Sequence, residues 1–201
     1  MRRKSFDWIL TGGGVVLTVV LVVAGVLLMW GYSFTNSQVH NQLAKQEISF
    51  PSAAAFSHAK AGTEITPGMI PFLAKYAGQP LTTGPQAEAY ADHFIAVHLS
   101  EMPFGGVYSK VSAASLAAPT NATLAAEVNT VFRGTTLRGL LLEAYGFWKF
   151  GEIALIAGIC SFVLAGVMLV LSLLGLGHLR RVRPEETIFA VEMPARELVN
   201  A

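Results

Sequence analysis

The chain has 201 residues, of which 53% are hydrophobic and only 13% are charged, and its formal net charge is +1. With a mean hydropathy of +0.51 it is too apolar and too sparsely charged for an ordinary soluble domain, so a membrane protein is the first expectation. The neutral balance supplies no basic surface for nucleic acid, and the lone cysteine, Cys160, rules out a disulfide framework or a cysteine-based metal centre.

Arg2, Arg3 and Lys4 precede a first apolar run from Ile9 to Trp30 that carries no charge after Asp7. At ~1.5 Å per helical residue, roughly twenty residues match the ~30 Å hydrocarbon core of a bilayer. A secretory signal peptide is the rival reading, because it also joins a basic start to an apolar stretch. This run exceeds the ~15-residue apolar core of such signals, and it ends in Met29-Trp30-Gly31-Tyr32 with no small-x-small cleavage pattern. Trp8 and Trp30 lie at its two ends, where indole rings favour the headgroup region.

Residues 33–150 hold seven Lys or Arg and seven Asp or Glu and read as helices separated by Pro and Gly. Ser33 or Asn36 can cap a helix carrying Val39, Leu43 and Ile48, or the first span can simply continue, before the Phe50-Pro51 stop. Thr66-Pro67 opens a short helix with Ile70, Leu73 and Tyr76 on one side, and Gly78 ends it. Thr83-Gly84-Pro85-Gln86 has capping-box spacing and starts the clearest helix, whose stripe is Ala87, Ala91, Phe94, Ile95, His98 and Met102. After a Gly105-Gly106 turn and a short helix at 109–118, Thr120 or Asn121 caps a helix with Leu124, Val128, Val131 and Phe132. Gly134 weakens that helix, yet helical spacing resumes from Thr135 to Lys149. Period-two alternation is scarce, so a sheet is not expected.

The second apolar run, Ile153 to Gly177, is collared by Tyr145, Phe147, Trp148 and Phe150 on one side and by His178, Arg180, Arg181 and Arg183 on the other. Basic clusters flank the outer ends of both runs, and short Lys/Arg-rich segments stay in the cytoplasm. The expectation is therefore an all-α membrane protein with two transmembrane helices flanking an extracytoplasmic helical bundle. Residues 1–8 form a basic cytoplasmic N-terminus, 9–32 the first span, 33–150 the outer domain, 151–177 the second span and 178–201 a cytoplasmic tail. The tail has room for no kinase or DNA-binding module; it reads as disordered, with Ile188 to Val191 able to pair with a partner.

Motifs for chemistry are scarce. His93 and His98 are five apart, about 140° around a helix at ~100° per residue, and so poorly placed to share an ion. Glu88 and Asp92 share a face that reads as solvated. His98 falls on the apolar stripe, where it reads as a hydrogen-bonded core residue with Glu101 as its nearest partner. There is no nucleophile elbow, Walker loop or zinc-protease signature. Asn121-Ala122-Thr123 has glycosylation spacing but reads as a helix cap. Catalytic, cofactor-binding and metal residues are accordingly expected to be none.

Two sets of residues point to partners instead. Arg133, Arg138, Trp148, Lys149 and Glu152 descend toward the second span and are candidates for contact with a lipid headgroup or an acidic partner chain, with local pairing of Lys149 and Glu152 as the simpler role. Within the span, Ala154 and Gly158, and then Ala157, Ser161 and Ala165, repeat a small-xxx-small spacing that lets another helix approach closely, either a partner's or the first span with its similarly spaced Gly14 and Thr18.

The stretches Phe34-Thr35-Asn36-Ser37-Gln38-Val39-His40-Asn41-Gln42-Leu43, Lys75-Tyr76-Ala77-Gly78-Gln79-Pro80, Gly84-Pro85-Gln86-Ala87-Glu88-Ala89-Tyr90-Ala91-Asp92-His93-Phe94-Ile95 and Phe132-Arg133-Gly134-Thr135-Thr136-Leu137-Arg138-Gly139 resemble a family of uncharacterised two-span actinobacterial membrane proteins. Members often carry the label of an aromatic ring-opening dioxygenase. That chemistry needs a non-haem iron held by His and carboxylate, and no such set has an argued geometry in this sequence. The resemblance implies topology and bacterial plasma-membrane location rather than mechanism. The expected function is a non-catalytic accessory or structural subunit of a larger membrane complex, respiratory or lipid-transporting, with the bilayer and other integral membrane subunits as partners and no nucleic acid. An extracytoplasmic module that binds or senses a small molecule or lipid is the alternative, and a metal-dependent enzyme the third reading.

Overall fold

A computed structural model of the protein describes residues 3–181; Arg2, Arg183 and the segment 188–191 lie outside the described residues. The described chain is mostly helical. In order they are α1 (Arg3–Ala44), α2 (Ala53–Ser57), α3 (Ile70–Leu73) between 3₁₀ turns at Pro67–Met69 and Ala74–Tyr76, α4 (Gly84–Tyr90), a π turn (Ala91–Ile95), α5 (Ala96–Ser100), a 3₁₀ turn (Pro103–Gly106), α6 (Tyr108–Ala117) and α7 (Ala122–Leu179). The extended backbone pairing among the described residues is an isolated bridge between Ser49 and Pro80. The all-α expectation is met, and the chain divides into two units.

The first unit joins residues 3–29 of α1 to the end of α7 from Leu155. Its two helix segments run antiparallel along a seam of small residues. A Cβ placed on Gly14 would lie 2.6 Å from Ser172 Oγ, one on Gly25 would lie 2.8 Å from the Phe162 ring, one on Gly158 would lie 3.3 Å from Met29 Sδ, and one on Gly175 would lie 2.6 Å from Thr11 Oγ1. Each step along α1 is matched by an equal step back along α7. Thr11, Thr18 and Gly25 on one helix, and Gly158, Ala165 and Ser172 on the other, are buried at seven-residue spacing, the period of a left-handed coiled pair. Thr18 Oγ1 donates to Gly14 O at 2.8 Å, which satisfies its hydroxyl inside the seam. At one end His178 Nε2 lies 3.9 Å from Asp7 Oδ2.

Outside that seam the apolar side chains have no protein against them. Each helix is long and apolar enough to cross a membrane, and only 11% of each apolar window is buried. A core helix of a soluble protein would bury most of such a window. Two long apolar helices with this exposure are compatible with a two-span membrane protein.

The second unit comprises Trp30–Ala154 and has its own core. Val39 and Leu43 from α1, Phe50, Phe56, Ile65, Met69, Leu73 and Leu81 from the intervening segment, Ala87, Ala91 and Ile95 from α4 and the π turn, and Leu141 from α7 form one buried cluster. Of the two options for residues 33–48, the first helix simply continues, to Ala44. Between α1 and α4 the chain makes an excursion closed at its neck by backbone hydrogen bonds: Leu81 N donates to Ile48 O at 2.8 Å, Phe50 N to Gln79 O at 2.9 Å and Gly78 N to Pro51 O at 2.9 Å. Gly78 turns that neck at φ +68°, a conformation that glycine adopts without Cβ strain. Within the excursion Ile70, expected on one side with Leu73 and Tyr76, is exposed while Leu73 is fully buried, and Met69 is fully buried beside it. The segment opens as a 3₁₀ turn, which shifts which side chains share a face.

The capping box at the start of α4 forms as expected. Thr83 Oγ1 accepts from Gln86 N, while Gln86 Oε1 accepts from both Thr82 N and Thr83 N. Buried Gln86 is completed by donating from Nε2 to Gln79 Oε1 at 3.2 Å. Asn121 caps α7, its Oδ1 accepting from Thr123 N and Leu124 N. Gly134 does not interrupt that helix, because the Leu99 side chain packs on its bare Cα. Gly84 likewise has the Trp148 ring closer than a Cβ would tolerate, whereas Gly139 faces open space. Gly84→Ala should therefore destabilise this unit by about 1–3 kcal/mol through overpacking. Gly139→Ala should instead stabilise it by up to ~1 kcal/mol through helix propensity alone. Unfolding midpoints of the detergent-solubilised variants check this, and shifts of the same sign would contradict it.

Candidate functional site

Three features of the second unit bring together groups able to recognise something. The first is the face between α4 and α7. Trp148 packs on Gly84 and Leu99 on Gly134, and between these contacts Arg138 Nη2 donates to Asp92 Oδ1 at 2.6 Å. Glu88 neighbours Tyr145, whose phenol pKa is pushed up by burial first and by that carboxylate second. The polar pairs thus lie along an antiparallel helix contact, with residues four apart on one helix meeting residues seven apart on the other. The π turn Ala91–Ile95 lies at its centre. Its wider turn resets the register of the stripe, leaving Ala91 and Ile95 buried while Phe94, His98 and Met102 are half-buried.

Asp92, expected on a solvated face, is therefore engaged by Arg138. The side chains are 37% and 39% exposed, so the pair contributes only ~0.2–1 kcal/mol and serves chiefly to orient both groups. His93 stacks flat on Phe72, with ring centroids 3.5 Å apart. His98 Nδ1 donates to Phe94 O at 2.7 Å, one turn back, rather than to Glu101. Among the described residues no group of three His, Cys, Asp or Glu is placed to hold a metal ion. Phe72, Lys75, Tyr76, Glu88, Asp92 and His93 border a shallow depression of about 220 Å³ beside this face. Its Lys75 ammonium already lies 4.8 Å over the Tyr76 ring.

The second feature is a groove of about 570 Å³ between the stretches of α1 and α7 that belong to this unit. Buried Val39, Leu43 and Leu141 make its floor, and Phe34 and Phe147 stand at one end. Gln38, Gln42 and Gln46, at four-residue spacing, form one rim, and Glu143 is its charged side chain. The groove could not be foreseen, because it needs the pairing of residues about a hundred positions apart.

The third feature is an aromatic surface where the Pro103–Gly106 turn leads into α6. Phe104 sits at φ +58°, ψ +25°, a left-handed conformation that a bulky residue rarely adopts. Its side chain is nevertheless 53% exposed. Tyr108 lies 5.8 Å from Phe132, and Val107, Tyr108 and Phe132 are all exposed. Gly106 is required below them, since a Cβ there would collide with the carbonyl of Leu99. A sequence signal existed in Pro103-Phe104-Gly105-Gly106, but the turn was legible and the phenylalanine's outward placement was not.

The residues singled out from sequence scatter over these features. Arg138 meets the π turn and Trp148 meets α4, Lys149 Nζ lies 5.7 Å over the Trp148 ring instead of pairing with Glu152, and Arg133 is exposed. Glu152 and Ala154 are half-buried. In the first unit Gly158 and Ala165 are buried in the seam with α1, and Ala157 and Ser161 border it half-buried. Cys160 is exposed.

Tyr90 carries a second raised phenol pKa, caused by burial and then by Glu64; its ring stacks on Phe94 and meets Phe50 edge-on. Tyrosine in the unfolded chain ionises near 10.0, so between that value and the higher folded one the fold keeps protons that the unfolded chain has lost. The stability this provides is intact below about pH 10 and declines as pH rises through the folded value. Tyr90→Phe should flatten the decline in denaturant-unfolding stability above pH 10, and an unchanged slope would contradict the assignment. No sequence-family profile, curated protein or solved structure matches this chain.

Proposed function

We propose that the protein is a non-catalytic accessory or structural subunit of a larger bacterial plasma-membrane complex. In this reading residues 9–32 and 151–177 cross the bilayer, both termini are cytoplasmic, and residues 33–150 form an extracytoplasmic helical domain. The basic groups Lys4, Arg180 and Arg181 near the outer ends of the two apolar runs support that orientation. A respiratory or lipid-transport assembly is the class of host that the resemblance and the topology suggest.

The observation that carries the docking role is Phe104. A left-handed phenylalanine costs of order 1–3 kcal/mol, and this one gains little burial in return. An aromatic side chain held out under strain, four residues before exposed Tyr108 and its neighbour Phe132, has the composition of an interface core, where aromatic residues supply most of the affinity. The exposed faces of the spans offer further contact with the membrane helices of a partner.

Phe104→Gly separates fold from docking, because glycine removes the strain. The variant should unfold no lower than the parent, since relief of strain offsets the added freedom of the unfolded chain. A partner that co-purifies in fixed ratio with the parent from native membranes in mild detergent should nevertheless be lost. Recovery of the parent as a single-chain particle from membranes in which known complexes survive would overturn the reading.

A further inference from the structure

We infer that the groove between α1 and α7 seats the apolar tail of a bilayer lipid. This goes beyond docking of a protein partner and rests on the two-span reading of α1 and α7. The groove is preformed: its floor, Val39, Leu43 and Leu141, belongs to the domain core and is at most 4% exposed, so it cannot close without unpacking that core. Its volume of about 570 Å³ falls within the ~300–1,000 Å³ of small-molecule sites. The α1 wall, from Phe34 to Leu43, extends two and a half turns, about 14 Å at 1.5 Å per residue, and Gln46 in the following turn lengthens it. A stable protein interface needs ~800 Å² on each partner, far more than such a strip offers, whereas a flexible hydrocarbon chain needs only length and an apolar lining.

The polar groups narrow the ligand further. Neutral amides line one rim and Glu143 is the one ionisable group there, with no Lys or Arg in the lining. A phosphate or carboxylate would find no cation, so recognition falls on the tail. The end near the expected bilayer surface supplies a route. Trp30, at the edge of the first apolar run, stacks on groove-lining Phe34 with centroids 5.5 Å apart, and Phe147 in the groove lining is exposed, as is Phe150 three residues on. A tail leaving the outer leaflet would exchange hydrocarbon for this surface without crossing water, and the apolar area it keeps covered is the driving force.

The test uses the full-length chain in phosphatidylcholine vesicles containing a phosphatidylcholine with a photoreactive diazirine at the end of one tail. After irradiation, adducts are mapped by peptide mass spectrometry. Adducts are expected at 34–46 and 137–147 as well as within the spans. Leu140→Glu places a carboxylate on an exposed groove residue where the fold tolerates it, and groove adducts should fall roughly tenfold or more because a hydrocarbon tail would meet an unpaired charge. Span adducts should be unchanged. Adducts confined to the spans in the parent, or groove adducts indifferent to Leu140→Glu, overturn the inference and leave the two-span reading standing. Absence of adducts in the spans as well overturns both. Loss of a co-purifying protein from Leu140→Glu, with adducts confined to the spans, assigns the groove to a protein partner and overturns the lipid seat.

Discussion

The close antiparallel contact of α1 with α7 is the constraint on which the first unit depends. In a hydrocarbon environment apolar side chains gain nothing by leaving lipid for protein, so two helices hold together through close packing and satisfied polar groups. The seam meets the first condition and, at Thr18, the second. Gly14, Gly25, Gly158 and Gly175 let side chains of the facing helix approach closer than a Cβ would ordinarily allow, and Thr18 closes its own hydrogen bond. Ser172 Oγ, and Asp7 Oδ2 at the end beside His178, are buried without a hydrogen-bond partner and are the imperfect positions of the seam among the described residues. The seven-residue recurrence means that a single enlarged residue displaces contacts on both sides of it.

In the second unit glycine acts in the same way. Gly84 and Gly134 accept Trp148 and Leu99, fixing how α4 and α5 lie along α7, and this places Asp92 opposite Arg138. The weakly stabilising ion pair follows from the packing rather than directing it. The core then fills from one side with the excursion between residues 48 and 81, whose neck is three backbone hydrogen bonds. The groove and the aromatic surface at Phe104 are what this packing leaves unfilled, and both present apolar surface that an isolated soluble domain would tend to hide.

Much of this was legible where the physics is local. The capping box at Thr83, the turn at Gly78, the cap at Asn121 and the two apolar runs depend on neighbours within a few residues, and the structure shows each of them. Gly134 read as a weakness because propensity was the only local quantity available; its purpose is to receive Leu99, 35 positions away in sequence. The π turn has no local signature, so a uniform 3.6-residue period was carried through Ala91–Ile95 and gave His98 a downstream partner instead of Phe94 O. Arg138 stands out in the sequence for its place ahead of the second apolar run, but its partner is 46 residues distant and no spacing rule reaches it. The groove belongs to the same class, since each wall reads as an ordinary helix face until the two are paired.

The α1–α7 seam can be measured directly. A Cβ on Gly14 would stand 3.7 Å from Ser172 Cβ, within the ~3.5–4.5 Å that a disulfide requires. With Cys160 replaced by alanine, the Gly14→Cys, Ser172→Cys protein should form an intramolecular disulfide in intact membranes under mild oxidation, seen as a reducible shift in gel mobility. Gly13→Cys with Ser172→Cys, one residue around the helix and facing open space, should not. Equal cross-linking of the two pairs, or of neither, would contradict the seam and the account built on it.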